Sequence, residues 1–437
     1  MLVLLAIRVD SIDPANMSKF EKPESGSTVL ILGKVWPEPG SSAAGTRMIQ
    51  LIRLLLKNGF KVTFATTAGD SDYNALNQLP EVNTVEIRLN DPSFDTFISD
   101  LQPSVVIFDR FMTEEQFGWR VAEQCPDTIR ILNTEDLHSL RFSRESAWES
   151  EMDFKPELMF DHEITKREIA SICRSDLSLI ISEAEMNLLL NHFPVEPTQL
   201  HYLPFLFDPL NPEFIDSLPG FEQREGFSTI GNFLHKPNRN SVRFLKNEIW
   251  PLIRNQLHNA NLYVYGAYPA QQDLELHAPD EGFHIMGRVE DAKQAISATK
   301  VLLAPLKFGA GLKGKLFDAM QAGTPSVTTS IGAEGIASEE EWCGFVTDNP
   351  VEFAEWAVQL VRCQSDWATA QKKGFQILND RFECNKFTEN LLTRLMELQL
   401  DLKAHRKKLF TGSMLMHHTL ASHRYMSKWI EEKEKMR

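Results

Sequence analysis

Three glycines and two lysines alternate through Gly309, Gly311, Lys313, Gly314 and Lys315, and a carboxylate, Asp318, follows within one helical turn. Residue types in this order suit a phosphate ester. Glycine lets backbone N–H groups close on an anion. Lysine supplies compensating charge, and a helix that begins at such a loop offers its unpaired N–H groups to the same anion. Asp318 has the opposite preference: a carboxylate repels phosphate but accepts hydrogen bonds from the paired hydroxyls of a ribose. Residues 304–335 therefore read as a diphosphate and ribose site, against the alternative of a glycine-rich turn that holds no ligand. Glu334, in the glycine-flanked run SIGAEG, is a further carboxylate near that loop, suited to a sugar hydroxyl or to a buried structural role.

Other clusters carry weaker signals. Gly231 and Asn232 open the turn GNFLHKPN, where backbone N–H groups can meet phosphate ahead of a helix, with Lys236 nearby. The small-residue turn from Gly40 through Ser42 to Gly45 lets a ligand approach the backbone, and Lys34 and Arg47 flank it; a packing turn is the alternative. The run ILNTEDLHSLR gathers Asn133, Glu135, Asp136, His138 and Arg141. His138 is suited to orient a hydroxyl or take its proton, and Asp136 to accept a hydrogen bond. Asp136 as a helix N-cap is the competing reading. Asp109, Arg110, Glu114 and Glu115 either line a second pocket or serve the first turn of a helix. Asp70 and Asp72 form a D-x-D tripeptide whose position, early in the chain, reads as coincidence.

Strands must deliver these loops. The apolar run 300–305, ended by Pro305, has the character of a buried parallel strand, and Gly323 and Pro325 stop the helix before a strand at 326–329. From residue 28 the chain alternates short apolar runs with helical spacing. Strands are expected at 29–32, 61–65, 84–88, 105–108, 129–132, 177–181 and 199–203. Crossover helices are expected at 46–57, 92–101, 113–124 and 183–192, with a long helical region over 139–173. A second series has strands at 227–230, 261–265, 284–285, 301–304 and 326–329. This is an α/β fold built twice. The expected divisions are an N-terminal extension 1–27, a first domain 28–207, a Pro- and Gly-bearing linker 208–226, a second domain 227–400 and a helical tail 401–437.

The run Asp318, Ala319, Met320, Gln321, Ala322, Gly323, Thr324, Pro325, Ser326, Val327 resembles the E-A-M-A-x-G-x-P-V signature of GT-B glycosyltransferases, specifically glycosyltransferase family 4. Two departures stand out: Asp318 replaces the usual Glu, and the family's first carboxylate falls on Ala310. The pattern is similar to a subgroup with a G-x-G-x-K donor loop, here Gly309, Gly311 and Lys313. The resemblance implies two doubly wound Rossmann-like domains facing across a cleft, the acceptor side first and the nucleotide-sugar side second. It also implies transfer of a sugar from a nucleoside diphosphate sugar to a glycan, lipid-linked or protein-linked acceptor, with retention of anomeric configuration. Donor binding would fall to Gly231, Asn232, Gly309, Gly311, Lys313, Lys315, Asp318 and Glu334. His138, Asp136 and Lys313 would be catalytic, and Gly40, Ser42, Gly45 and Arg47 would border the reacting groups. The sugar nucleotide is a co-substrate, and neither a metal nor another cofactor is implied. A nucleotide-sugar epimerase of the same fold, or a degenerate binding protein, are the alternatives.

Composition sets outer limits. The 437 residues suit two domains, and a formal charge of −15 disfavours general nucleic-acid binding, which needs a basic surface. The five cysteines are odd in number and widely spaced, which suggests neither a disulfide framework nor a zinc site and points to a reducing cytoplasm. The run Leu2 to Ile7 is too short for a membrane span. The basic residues Arg406, Lys407, Lys408, Arg424 and Lys428 of the tail allow at most peripheral membrane contact.

Overall fold

The computed structural model describes residues 27–435 apart from Asp70; within the last helix, nothing is described of the side chains of residues 418–421 and 423. The run Leu2 to Ile7 and the first member of the D-x-D tripeptide lie outside those residues.

Two open parallel sheets account for the chain. The first contains β1 (Thr28–Gly33), β2 (Lys61–Thr66), β3 (Asn83–Glu86), β4 (Val105–Asp109), β5 (Ile129–Asn133), β6 (Leu177–Ile180) and β7 (Leu200–Tyr202), in the order β3-β2-β1-β4-β5-β6-β7. The second contains β8 (Phe227–Ile230), β9 (Leu262–Tyr265), β10 (Phe283–Gly287), β11 (Val301–Ala304), β12 (Ser326–Thr328) and β13 (Gly344–Val346), in the order β10-β9-β8-β11-β12-β13. The central strands are continuous apolar runs because both faces are covered by helices. Alternation of side chains divides each run between two cores. In β1, Val29 and Ile31 join the cluster under the helix Ala43–Lys57, while Leu30 and Leu32 join the one containing Phe94, Phe117 and Leu140. In β11, Val301 and Leu303 face one core, and Leu302 and Ala304 the other.

Four places differ from the sequence expectation. The helical region over 139–173 is two helices, His138–Glu149 and Glu163–Arg174, separated by a reversal at Glu151 (φ 53°) and the short turn Pro156–Asp161. Pro156 has no N–H to continue a helix. The strand β13 is only three residues long and carries little periodic signal. The segment 208–226 contains the helix Pro212–Ser217, and Arg224, buried at its end, donates to Thr324 Oγ1 (2.6 Å) and to the Ala322 carbonyl (2.9 Å), so it is fastened to the second sheet's helices. Finally, the chain recrosses to the first half near residue 384. In the helix Cys384–Leu400, Leu391, Leu395 and Leu398 stand one turn apart and enter the core of Val29 and Ile31. The terminal helix Phe410–Lys435 then packs along Glu163–Arg174 and is tied to the first half by the Arg120–Glu431 ion pair. No described helix is long and apolar enough to cross a membrane.

The turn after β1 is fixed by close packing. A Cβ at Gly45 would lie 2.4 to 2.6 Å from the backbone C, O and N atoms of Glu38. Backbone cannot rotate away as a side chain does, so Gly45→Ala must displace the turn. The expected cost is about 1–3 kcal/mol, read as a lower urea midpoint; an unchanged midpoint would refute this account of the turn.

Candidate functional site

In an open parallel sheet, ligands bind beyond the carboxyl ends of the strands where the winding direction reverses. That point lies between β1 and β4 in the first sheet and between β8 and β11 in the second. The loops leaving these four strands carry Gly40 to Gly45, Asp109 and Arg110, Gly231 to Asn238, and Gly309 to Lys313. They meet in one cleft. Asn232 donates its side-chain amide to the Ser41 carbonyl across it (3.2 Å), and a Cβ at Gly314 would lie 2.5 Å from that of Ala43. The first turns of the helices Ala43–Lys57 and Gly314–Gln321 therefore abut. Ser42 caps the former by accepting from Gly45 N (3.1 Å), while the latter has no side-chain cap.

The glycine loop takes the conformation its residue types allow. Gly309 and Gly311 have φ values of 156° and 62°, and Lys313 is the residue preceding the helix. Lys313 Nζ donates to the Gly311 carbonyl (2.7 Å). Burial lowers its pKa to about 8, reinforced by Arg144 and opposed by Glu334, Glu185 and Asp136. Lys315 donates to Asn238 Oδ1 (2.9 Å), whose amide donates in turn to the Asn232 carbonyl (3.0 Å), so this lysine joins the two loops of the second sheet; burial lowers its pKa to about 8. A Cβ at Gly231 would strike the Asn238 side chain at 2.5 Å. Asp318 stands three residues beyond Lys315 on the same helix, its pKa pushed up to about 6 by burial and tuned by Lys293 and Asp291.

The first half supplies the facing wall. Glu185, fully buried, accepts from Leu137 N (2.9 Å) and from Gly311 N (2.8 Å) through one oxygen, so one carboxylate holds the glycine loop against the first sheet. Burial pushes its pKa up to about 8 and Asp136 adds to the rise, while the two N–H donors and Lys313 oppose it. Arg144 makes the second tie. Its guanidinium donates to both oxygens of Glu334 (2.8 and 2.6 Å) and to the Gly309 carbonyl (2.8 Å). Burial would raise the pKa of Glu334, but the hydrogen bonds and charge of Arg144, with Lys313 behind them, hold it below the usual range.

Asp136 lies directly under Gly311, where an added Cβ would come within 2.8 Å of its own. It pairs with Arg141 and stands 3.5 Å from His138 Nε2. Burial works against its ionisation, yet Arg141, His138, His235 and Arg110 outweigh it and keep the group charged. Burial, with Arg141 and Arg110, lowers the pKa of His138 to about 4 despite Asp136, so its ring is neutral near pH 7. Asp136 does not cap the helix that follows. Glu168 does, accepting from His138 N (3.0 Å) and Ser139 N (2.9 Å). Arg47 is not a cleft cation: it is buried beneath the site, donating to Asn133 and to the Leu203 carbonyl (2.8 Å), 3.6 Å from Glu135. Burial pushes the pKa of Glu135 up to about 7, which Asp109 reinforces and Arg47 opposes.

The structure thus brings His138, Asp136, Lys313, Lys315, Gly311, Gly309, Glu334, Asn232 and the turn from Gly40 to Gly45 to one cleft. Glu114 and Glu115 are engaged elsewhere, with Arg174 and Arg167. Lys236 is exposed and pairs with Glu145 (2.7 Å). Three residues that the sequence did not single out complete the wall. Arg144 follows His138 and Arg141 at three-residue intervals, a spacing that places all three along one side of a helix. Glu185 and Glu168 carry no such signal, because acidic residues near helix starts are ordinary.

Removing Arg144 leaves Glu334 with its charge and without its donor. Arg144→Met is expected to destabilise by about 1.5–3 kcal/mol, and adding Glu334→Gln should restore part of that loss in a double-mutant cycle. Strict additivity of the two changes would show that the pair does not couple the halves.

Residues 224–363 match the family described as glycosyl transferases group 1. No curated protein sequence matches the chain. Solved structures do match. A mutant of TarM from S. aureus, in complex with Fondaparinux, alpha-GlcNAc-glycerol and UDP, aligns with a TM-score of 0.65 at 10% identity, over 84% of this chain and 99% of that one. HepE from Anabaena, in complex with UDP-glucose, aligns with a TM-score of 0.64 at 13% identity, over 85% and 100%. Sucrose-phosphate synthase from Thermosynechococcus elongatus gives 0.63 at 15%, over 85% and 99%. At these identities the likeness concerns the fold: the chain has the GT-B fold, and residues 224–363 carry the match to glycosyl transferases group 1.

Proposed function

We propose that the protein is a glycosyltransferase that moves a sugar from a nucleoside diphosphate sugar to an acceptor with retention of anomeric configuration, through a G-x-G-x-K donor loop. The observation that carries this reading is the convergence of Lys313, Lys315 and an uncapped helix N-terminus at the reversal point of the second sheet. Charge grows on the diphosphate as the glycosidic bond breaks, so these groups act more strongly on the transition state than on the bound substrate. Asp318, one turn along the same helix, is assigned to the ribose hydroxyls. His138 is assigned to orienting a hydroxyl. A ring whose pKa is about 4 is a poor proton acceptor near neutrality but a good hydrogen-bond partner. A nucleotide-sugar donor and a glycan-type acceptor are supported by the family match and by the complexes of the similar structures.

A thermal-shift panel of UDP, GDP, ADP and CDP tests the donor. The cognate nucleotide should raise the unfolding temperature, corresponding to about 2.7 kcal/mol at a hundredfold excess over its Kd. Lys313→Ala should lower transfer by about 10²- to 10³-fold, with the anomeric configuration of the product followed by proton NMR. Unchanged turnover together with unchanged nucleotide affinity would sink the assignment of Lys313, and inversion at the anomeric carbon would sink retention.

Affinity should also depend on pH. Above pH 7 the diphosphate is fully ionised, while Lys313 and Lys315 lose their protons near pH 8 in the free protein. Binding must then take up protons, so nucleotide affinity falls as pH rises past about 8. Replacing both lysines by arginine should flatten the profile to pH 9. A wild-type profile that is flat from pH 7 to 9.5 would contradict this.

A further inference from the structure

A cavity of about 270 Å³ opens on the first half beside the glycine loop. One wall is the helix His138–Glu149, which contributes Leu140 and Arg144; the facing wall is the helix Glu183–His192, which contributes Asn187 and Asn191. Phe154 lies along the side, with the Arg144 guanidinium over its ring at 5.2 Å. Asn187 and Asn191 are four residues apart and so share one helix face. Both are exposed, and neither side chain bonds to another of the described residues. The inner end of the cavity is Glu334, gripped by Arg144, and Lys313 lies within the electrostatic reach of both. Arg144 also donates to the Gly309 carbonyl, so the Arg144–Glu334 pair is where the cavity meets the glycine loop.

We infer that this cavity binds a sugar ring of the acceptor, held by Asn187 and Asn191 and aimed at the donor loop past the Arg144–Glu334 pair. The chemistry fits a neutral polyol with one apolar face. Leu140 and Phe154 offer that face a surface, the amides offer donors and acceptors to hydroxyls, and the inner ion pair offers more of both. The volume lies just below the ~300 Å³ at which small-molecule pockets begin, which suits a single ring rather than an extended chain. A phosphorylated group is disfavoured, because the guanidinium that lines the cavity, Arg144, is already held by both oxygens of Glu334. The inference rests on the transferase reading, since only that reading makes a second sugar necessary.

Saturation-transfer NMR of the full chain with the methyl glycosides of glucose, galactose, mannose and N-acetylglucosamine tests it. At least one should bind saturably. Asn187→Trp, which fills the cavity from an exposed helix position, should weaken that binding by about tenfold or more, and Asn191→Ala by about threefold to tenfold. Neither change should alter the thermal shift produced by UDP, GDP, ADP or CDP. Absence of binding by all four glycosides overturns the inference, as does binding that Asn187→Trp leaves intact or a signal confined to an alkyl glycoside's chain. Glycoside binding that behaves as expected in a protein that no nucleotide stabilises supports the cavity and refutes the transferase reading instead.

Discussion

The carboxylate of Glu185 is the interaction on which the site depends. A loop with glycines at positions 309 and 311 has no conformation of its own, since glycine gives up more freedom on ordering than any other residue. Something outside must impose one. Glu185 does so from the opposite half, accepting from Gly311 N and Leu137 N with the same buried oxygen, so that the loop of the second sheet and the helix start of the first share one partner. With its pKa raised to about 8 the group is mostly protonated near pH 7, so each of these bonds contributes about 0.5–1.5 kcal/mol. Arg144 adds a second fixed point through Glu334 and the Gly309 carbonyl. With the loop's two ends held, the position of Lys313 follows.

The same crowding accounts for a residue that departs from the pattern this chain resembles. Ala310 is buried and belongs to the first half's core cluster, which also contains Leu137, Leu140 and Ile180. Asp136, Glu185 and Glu334 already surround the loop. A further carboxylate there would be desolvated among like charges, both of which oppose ionisation. The loop balances its acids with Lys313 and Arg144, and an alanine keeps that balance.

Much of the fold was legible because buried parallel strands are apolar on both faces and stand out from the helices between them. The lysine and glycine loop was legible for a related reason: glycines at irregular spacing beside lysines serve neither a helix nor a core. Legibility failed where a residue's role is set by a partner distant in sequence. Glu185 reaches residue 311, Arg144 reaches residue 334, and Glu168 caps a helix for which Asp136 was the competing candidate. Each is an ordinary polar residue on an amphipathic helix until the partner is known. Arg47 failed in the opposite sense. Its position beside a small-residue turn suggested a cleft role, but the residue is buried with Asn133 and Glu135 under the sheet's end. The helix Cys384–Leu400 could not be assigned to a half from its own pattern, because an apolar stripe declares that it packs and not against what.

That helix has a mechanical consequence. The chain passes between the halves twice, once after Phe207 and once at Glu383, and the two passages lie side by side: Phe207 N donates to the Phe382 carbonyl and Cys384 N to the Phe207 carbonyl, both at 2.9 Å. Two covalent links joined by their own hydrogen bonds behave as a pin. They limit how far the halves can separate at Phe207, where the two passages lie side by side and bond to each other.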